Sequence, residues 1–178
     1  MLLLLLLLPA AVGIVDAAKS LTKLNGIAIG NTGRPMKPIE IAEGITMAVP
    51  ANFPHSVEWE EGPVKVISFS LRPHEQAQRF LHFFEIRLSP EELDPDLILA
   101  DLGYEIVAKQ VEEITVDGRN SVLTTTAITI TLPCGSQQDA TFYSSAYYCA
   151  ERKTHVLVAT FTMMRDGFLD IVTSFRCR

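Results

Sequence analysis

Phe168, Ile171, Val172 and Phe175 fall at i, i+3, i+4 and i+7 near the end of the chain. That spacing puts four large apolar side chains on one stripe of a helix. Asp170, Thr173, Ser174 and Arg176 take the other side, and Asp166 stands ahead of the stripe as a capping residue. Each of the four is worth roughly 1.5–3 kcal/mol when buried, so the helix Gly167–Phe175 must dock on something. The preceding run supplies a surface. Leu157, Ala159, Phe161 and Met163 alternate with Val156, Val158, Thr160 and Thr162, the period of a strand. Both of its faces are largely apolar, which predicts a central strand. The runs Ala140–Tyr148 and Thr154–Met164 flank the polar turn Glu151-Arg152-Lys153 and read as a hairpin. The expected fold class is α+β: a mostly antiparallel sheet with the terminal helix and one internal helix packed on it.

Upstream, Val64–Leu71 and Gln78–Leu88 are strands around Arg72-Pro73-His74-Glu75, and Gly44–Pro50 and Val57–Glu60 are shorter ones. Ser89-Pro90-Glu91-Glu92 has the pattern of a capping box, and Asp94-Pro95 offers a second start for a helix to about Leu102, closed by Gly103. Tyr104–Val116, whose first part could instead extend the helix, and Ser121–Leu132 read as strands joined at Asp117-Gly118, a pair that tolerates the positive φ angles of a tight turn. Turn formers crowd Lys19–Pro38, which reads as an extended arm over residues 18–43 with a short strand at Gly26–Ile29. A single domain, 44–178, follows.

Residues Met1–Ala17 read as a cleaved leader. Seven leucines precede Pro9, and Val15-Asp16-Ala17 matches the small-x-small cleavage pattern. Cleavage leaves 161 residues (178 minus 17), enough for one domain with a sizeable core. The expected location is periplasmic or secreted, with membrane contact only through an uncleaved leader. A net charge of −6 without basic runs argues against nucleic-acid binding.

An exported chain can form a disulfide, and Cys134, Cys149 and Cys177 leave one thiol over. The hairpin sets Cys149 beside the start of the last strand. A helix running back over that strand ends near the same place, so Cys149–Cys177 is the preferred bridge. Continued helical spacing would aim Cys177 away from the stripe, so the pairing needs the helix to end near Phe175. The alternative is three unpaired cysteines.

No catalytic constellation stands out. His74-Glu75-Gln76-Ala77-Gln78 lacks the second histidine of a zinc-protease helix. His55, His74 and His82 have no spacing that demands a metal, His82 reads as a core histidine and His155 as a solvated one. Glu58, Glu60, Glu61 and the pair Glu112-Glu113 suit solubility and the guarding of strand edges. Cys134 has no visible base partner. No cofactor, metal or enzymatic activity is expected.

The order of elements, with Val49-Pro50 near the start and Ile171 and Ser174-Phe175 at the end, resembles the superfamily of the photosystem II extrinsic protein PsbP and the bacterial DcrB-like proteins. The resemblance spans roughly Gly44–Phe175. It implies an α/β/α or two-layer arrangement and non-enzymatic binding or assembly roles. The expected function is therefore contact with another envelope or secreted protein. Tyr143, Tyr147, Trp59 and Phe53 are the candidate partner surface. A carrier of a small apolar ligand is the alternative, and a hydrolase or metal enzyme the third reading.

Overall fold

The computed structural model describes residues 35–51, 53, 56–70, 82–131, 135–161, 163 and 165–178. The leader, the strand expected at Gly26–Ile29, the turn at residues 72–75, His55, His74, Cys134 and the His82 side chain lie outside these.

Ten strands and two helices follow one another along the described chain. They are β1 (Met36–Ala42), β2 (Ile45–Pro50), β3 (Ser56–Glu61), β4 (Val64–Ser70), β5 (His82–Ser89), α1 (Pro95–Asp101), β6 (Glu105–Val116), β7 (Arg119–Thr131), β8 (Gln137–Cys149), β9 (Thr154–Thr160), α2 (Arg165–Thr173) and β10 (Arg176–Cys177). Seven strands form one sheet in the order β3-β4-β5-β9-β8-β7-β6, and β1-β2-β10 form a second. Every pairing is antiparallel. The molecule is α+β and mostly antiparallel sheet.

The apolar pattern of β9 explains the layering. Val156 and Val158 join a core with Phe84, Ile86, Phe168, Ile171, Val172 and Phe175, beneath α2 and the small sheet. Leu157 and Ala159 point the other way, into a core with Ile98 and Leu99 of α1, Ile128 and Phe142. A strand apolar on both faces sits in the middle of the seven, covered on both sides.

Local chemistry places the elements. Asp94 caps α1 from an extended backbone, its Oδ1 accepting the Asp96 N–H at 2.9 Å, with Pro95 in the first turn. Gly103, at φ +70°, and the Tyr104 N–H bond back to Leu99 (3.0 Å) end the helix. The capping-box pattern at Ser89 starts no helix. The Ser89 hydroxyl accepts the Glu91 N–H at 3.0 Å and makes a local turn instead. Asp117 and Gly118 both take positive φ, 52° and 73°, in the β6–β7 hairpin.

The terminal helix begins and ends two residues earlier than spacing alone predicts. Asp166 falls inside its first turn rather than at its cap. Ser174 leaves the helix because its hydroxyl accepts the Ala48 N–H of β2 at 2.8 Å, and Phe175 turns fully into the core. The chain then reverses as β10, opposite Ile45 and Thr46. Residues 36–42, read from sequence as part of an arm, form β1 against β2. β1 has no strong signal of its own, because Lys37, Pro38 and Glu40 interrupt its apolar residues.

Candidate partner surface

Of the four aromatic residues chosen from sequence, three serve the core. Phe53 is 9% exposed and packs against Phe69 and Phe84, centroids 5.5 and 5.6 Å away. Tyr147 is buried edge-on to Phe175 at 5.1 Å, and half-buried Tyr143 stacks on Phe168 at 6.0 Å. Alternation on β8 correctly put Tyr143, Tyr147 and Cys149 on one face, but that face lies under α2 and the small sheet. Alternation shows which residues share a side; it does not show which side meets solvent.

Trp59 is different. It lies on β3, an outermost strand of the seven, and is half-buried. Register pairs Trp59 with Val66 and Val66 with Arg87, so the three share the face that carries α1 farther along. Glu61 and Glu85 stand two residues from Trp59 and Arg87 on the same face. The result is a polar line across β3 and β5. The Trp59 indole N–H donates to Glu61 at 2.9 Å, the Glu61 carboxylate lies 3.9 Å from the Arg87 guanidinium, and Arg87 Nε donates to Glu85 at 2.6 Å. Glu85 is 6% exposed and Val66, beneath the line, is fully buried. A carboxylate that deep needs its guanidinium; with Arg87 removed the charge would be buried unpaired. On the opposite face of β3, Glu58 holds Lys65 at 2.9 Å.

Arg87 and Glu85 were not singled out from sequence. The available signal was an acid and a base at i and i+2 inside an apolar strand, a spacing that puts both on one side.

A second polar cluster surrounds Cys149 and Cys177. Cys149 and Cys177 are joined by a disulfide, Cα atoms 5.8 Å apart. Glu151 lies beside them, and its carboxyl is held below the usual range by the Arg119 guanidinium that donates to it. Cys149, Glu151 and Cys177 have ligand atoms within 4.8 Å of one another, yet the bridge occupies both sulfurs. Around the bridge, Asp117 accepts the Cys177 N–H at 2.9 Å and the Arg178 N–H donates to the Gly44 carbonyl at 2.9 Å. Gly44 has φ +71°, and a Cβ there would overlap the Arg152 guanidinium and the Arg178 carbonyl. Burial pushes the Tyr104 phenol up to about 12 and raises the Tyr147 phenol as well, so both stay protonated at neutral pH. His155 packs on Tyr148 at 4.6 Å.

No family model matches the chain, and no curated protein matches its sequence. Among solved structures it is similar to the Saccharomyces cerevisiae Ran-binding protein Mog1p, at 13% identity and a TM-score of 0.44, over 82% of this chain and 96% of that one. A point mutant of Mog1 matches at 14% identity and a TM-score of 0.43, over 80% and 96%. The resemblance to the PsbP and DcrB-like superfamily is thereby overturned: these two neighbours are Mog1 structures, and no model of that superfamily matches. The residues that suggested it have local structural duties. Val49 is buried in β2, which ends at Pro50, Ile171 and Phe175 fill the core, and Ser174 ties the end of α2 to β2. Short motifs of this kind report how a helix end meets a strand, which unrelated chains can share.

Proposed function

We propose that the chain is a protein-binding module and that Trp59 anchors the partner. What supports this is the placement of a half-buried tryptophan on an outermost strand, its indole held by Glu61 beside the Arg87–Glu85 pair. Tryptophan and arginine dominate the energetics of protein interfaces, because each combines a large contact area with a directed polar group. Among the described residues β3 pairs with β4 alone, so an extended segment of the partner can add along it while its side chains meet Trp59. The acidic residues Glu58, Glu60 and Glu61 favour a partner segment bearing lysine or arginine.

An apolar carrier is disfavoured by how the core is filled. The space between sheet and helices holds Phe84, Phe142, Phe168 and Phe175, all essentially without solvent contact. Export belongs to the same proposal, supported by the leader pattern in Met1–Ala17 and by the Cys149–Cys177 disulfide. Sequencing the amino terminus of protein recovered from outside the cytosol should begin at Ala18; recovery of the uncleaved chain in the cytosol would defeat it.

The experiment for the binding role compares the wild-type protein with Trp59→Ala, each immobilised against extract of the source cells. A truncated anchor typically weakens an interface by about 2 kcal/mol or more, so at least one captured protein should bind the variant roughly thirtyfold less. Matching unfolding curves must show that the variant is folded. A set of captured proteins indifferent to Trp59 removes the assignment.

A further inference from the structure

The opposite edge of the sheet carries a different pattern. β6 is 12 residues long, and among the described residues it pairs only with β7. All nine side chains from Glu105 to Glu113 are exposed. A register shift between Ile106 and Ala108 interrupts the ladder near the start, leaving Ala108–Val116 as regular strand. On its α1 side this stretch presents Lys109, Val111 and Glu113 in a row, since they lie opposite Thr126, Thr124 and Val122 of β7. Val111 is 59% exposed and its neighbour Val122 39%, while Leu97 of α1 stands 60% exposed on the same side.

We propose that this edge pairs antiparallel with the same edge of a second copy, about a two-fold axis through Val111. Side chains directly opposite in an antiparallel pair must share a face, so the axis has to pass at a residue. Each choice then dictates the partners. Centred on Val111, Lys109 faces Glu113 of the second copy, Glu113 faces its Lys109, and valine meets valine on the axis. On the other face Gln110 meets Glu112. Centred on Lys109, lysine would face lysine and Glu105 would face Glu113. Centred on Glu112, glutamate would face glutamate. An axis at Val107 would set Lys109 against Glu105, but it falls on the irregular segment between Ile106 and Ala108. Within the regular stretch Ala108–Val116, charge complementarity therefore selects the register at Val111, which also sets its exposed valine against the same valine of the second copy. Lys109 already contacts Asp96 at 2.6 Å and Glu112 contacts Arg165 at 2.7 Å, bonds that hold these two side chains in place on opposite faces. The pairing joins two seven-stranded sheets at β6 and leaves a β3 edge, with its Trp59, at each outer end. It depends on none of the residues assigned to the partner.

The test uses the full chain with its disulfide intact, followed by sedimentation over a range of concentrations. The wild type should dimerise. Lys109→Glu sets glutamate against glutamate at both symmetric positions, and Glu113→Lys sets lysine against lysine. Each should weaken the dimer by about tenfold or more, since two attractive cross-strand pairs become repulsive. The double variant K109E/E113K restores opposite charges in exchanged places and should recover the dimer. Both positions are exposed strand sites, and circular dichroism confirms that each variant is folded. A wild-type monomer at every concentration overturns the proposal, as does a dimer indifferent to single swaps or one not restored by the double.

Discussion

Phe168→Ala should lower the unfolding free energy by about 3–5 kcal/mol, the range for truncating a buried phenylalanine. Phe168 has no solvent exposure and lies where α2 crosses the sheet. Its ring approaches Phe84 at 6.5 Å and Tyr143 at 6.0 Å, so truncation opens a hole walled by aromatic rings of fixed shape. Those rings cannot collapse into the space without leaving their own packing, which places the cost toward the upper end. Domains of this size have only about 5–15 kcal/mol in total, so the variant should be largely or wholly unfolded at moderate urea. Asp170→Ala, on the exposed side of the same helix, should stay within about 0.5 kcal/mol. Urea titrations of the three proteins decide it. A loss below about 1 kcal/mol for Phe168→Ala means that α2 is not the element holding this face of the sheet.

Replacing Cys149 and Cys177 together by serine should cost about 3–4 kcal/mol, the loop-closure value for their separation of 28 residues. The bridge closes a loop that contains β9 and α2 and pins β10 beside the end of β8. Without it, β10 keeps two register pairs with β2 and the Cys177 N–H bond to Asp117. The unfolded chain gains freedom, while the folded one loses little contact. The midpoint of thermal unfolding should fall by roughly 10 °C, and a strong reductant should do the same to the wild type. Because Cys149 is fully buried, reduction should be slow until the region opens. A melting temperature unchanged by both treatments would show that the bridge constrains nothing the fold does not already hold.

Both effects concern features readable before any coordinates. All four side chains of the stripe are buried; helical period places Phe168, Ile171 and Val172, while Phe175 reaches the core only after the helix has ended at Thr173. The both-sided apolarity of β9 likewise implied a central strand, and Asp117-Gly118 a hairpin. The short motifs taken as a family likeness did not carry that weight, since Ser174 and Phe175 answer to a contact with β2. The partner surface was the least legible part. Tyr143, Tyr147 and Phe53 looked like an available aromatic face, and the fold spent them on its core. Trp59 alone of the four stayed at an edge, and its companions Arg87 and Glu85 come from a strand that Val66 of β4 separates from it.

Sequence by itself determined the periodicities: where the chain extends, where it coils, and which side chains travel together on one side. These follow from backbone geometry acting over a few residues. Tertiary structure alone decided what would cover each side of the large sheet, that β1, β2 and β10 would form a second sheet, and which of the described strands would be left at the edges. Those outcomes come from contacts between residues far apart in the chain, such as Ser174 with Ala48, whose energies no local window of sequence contains.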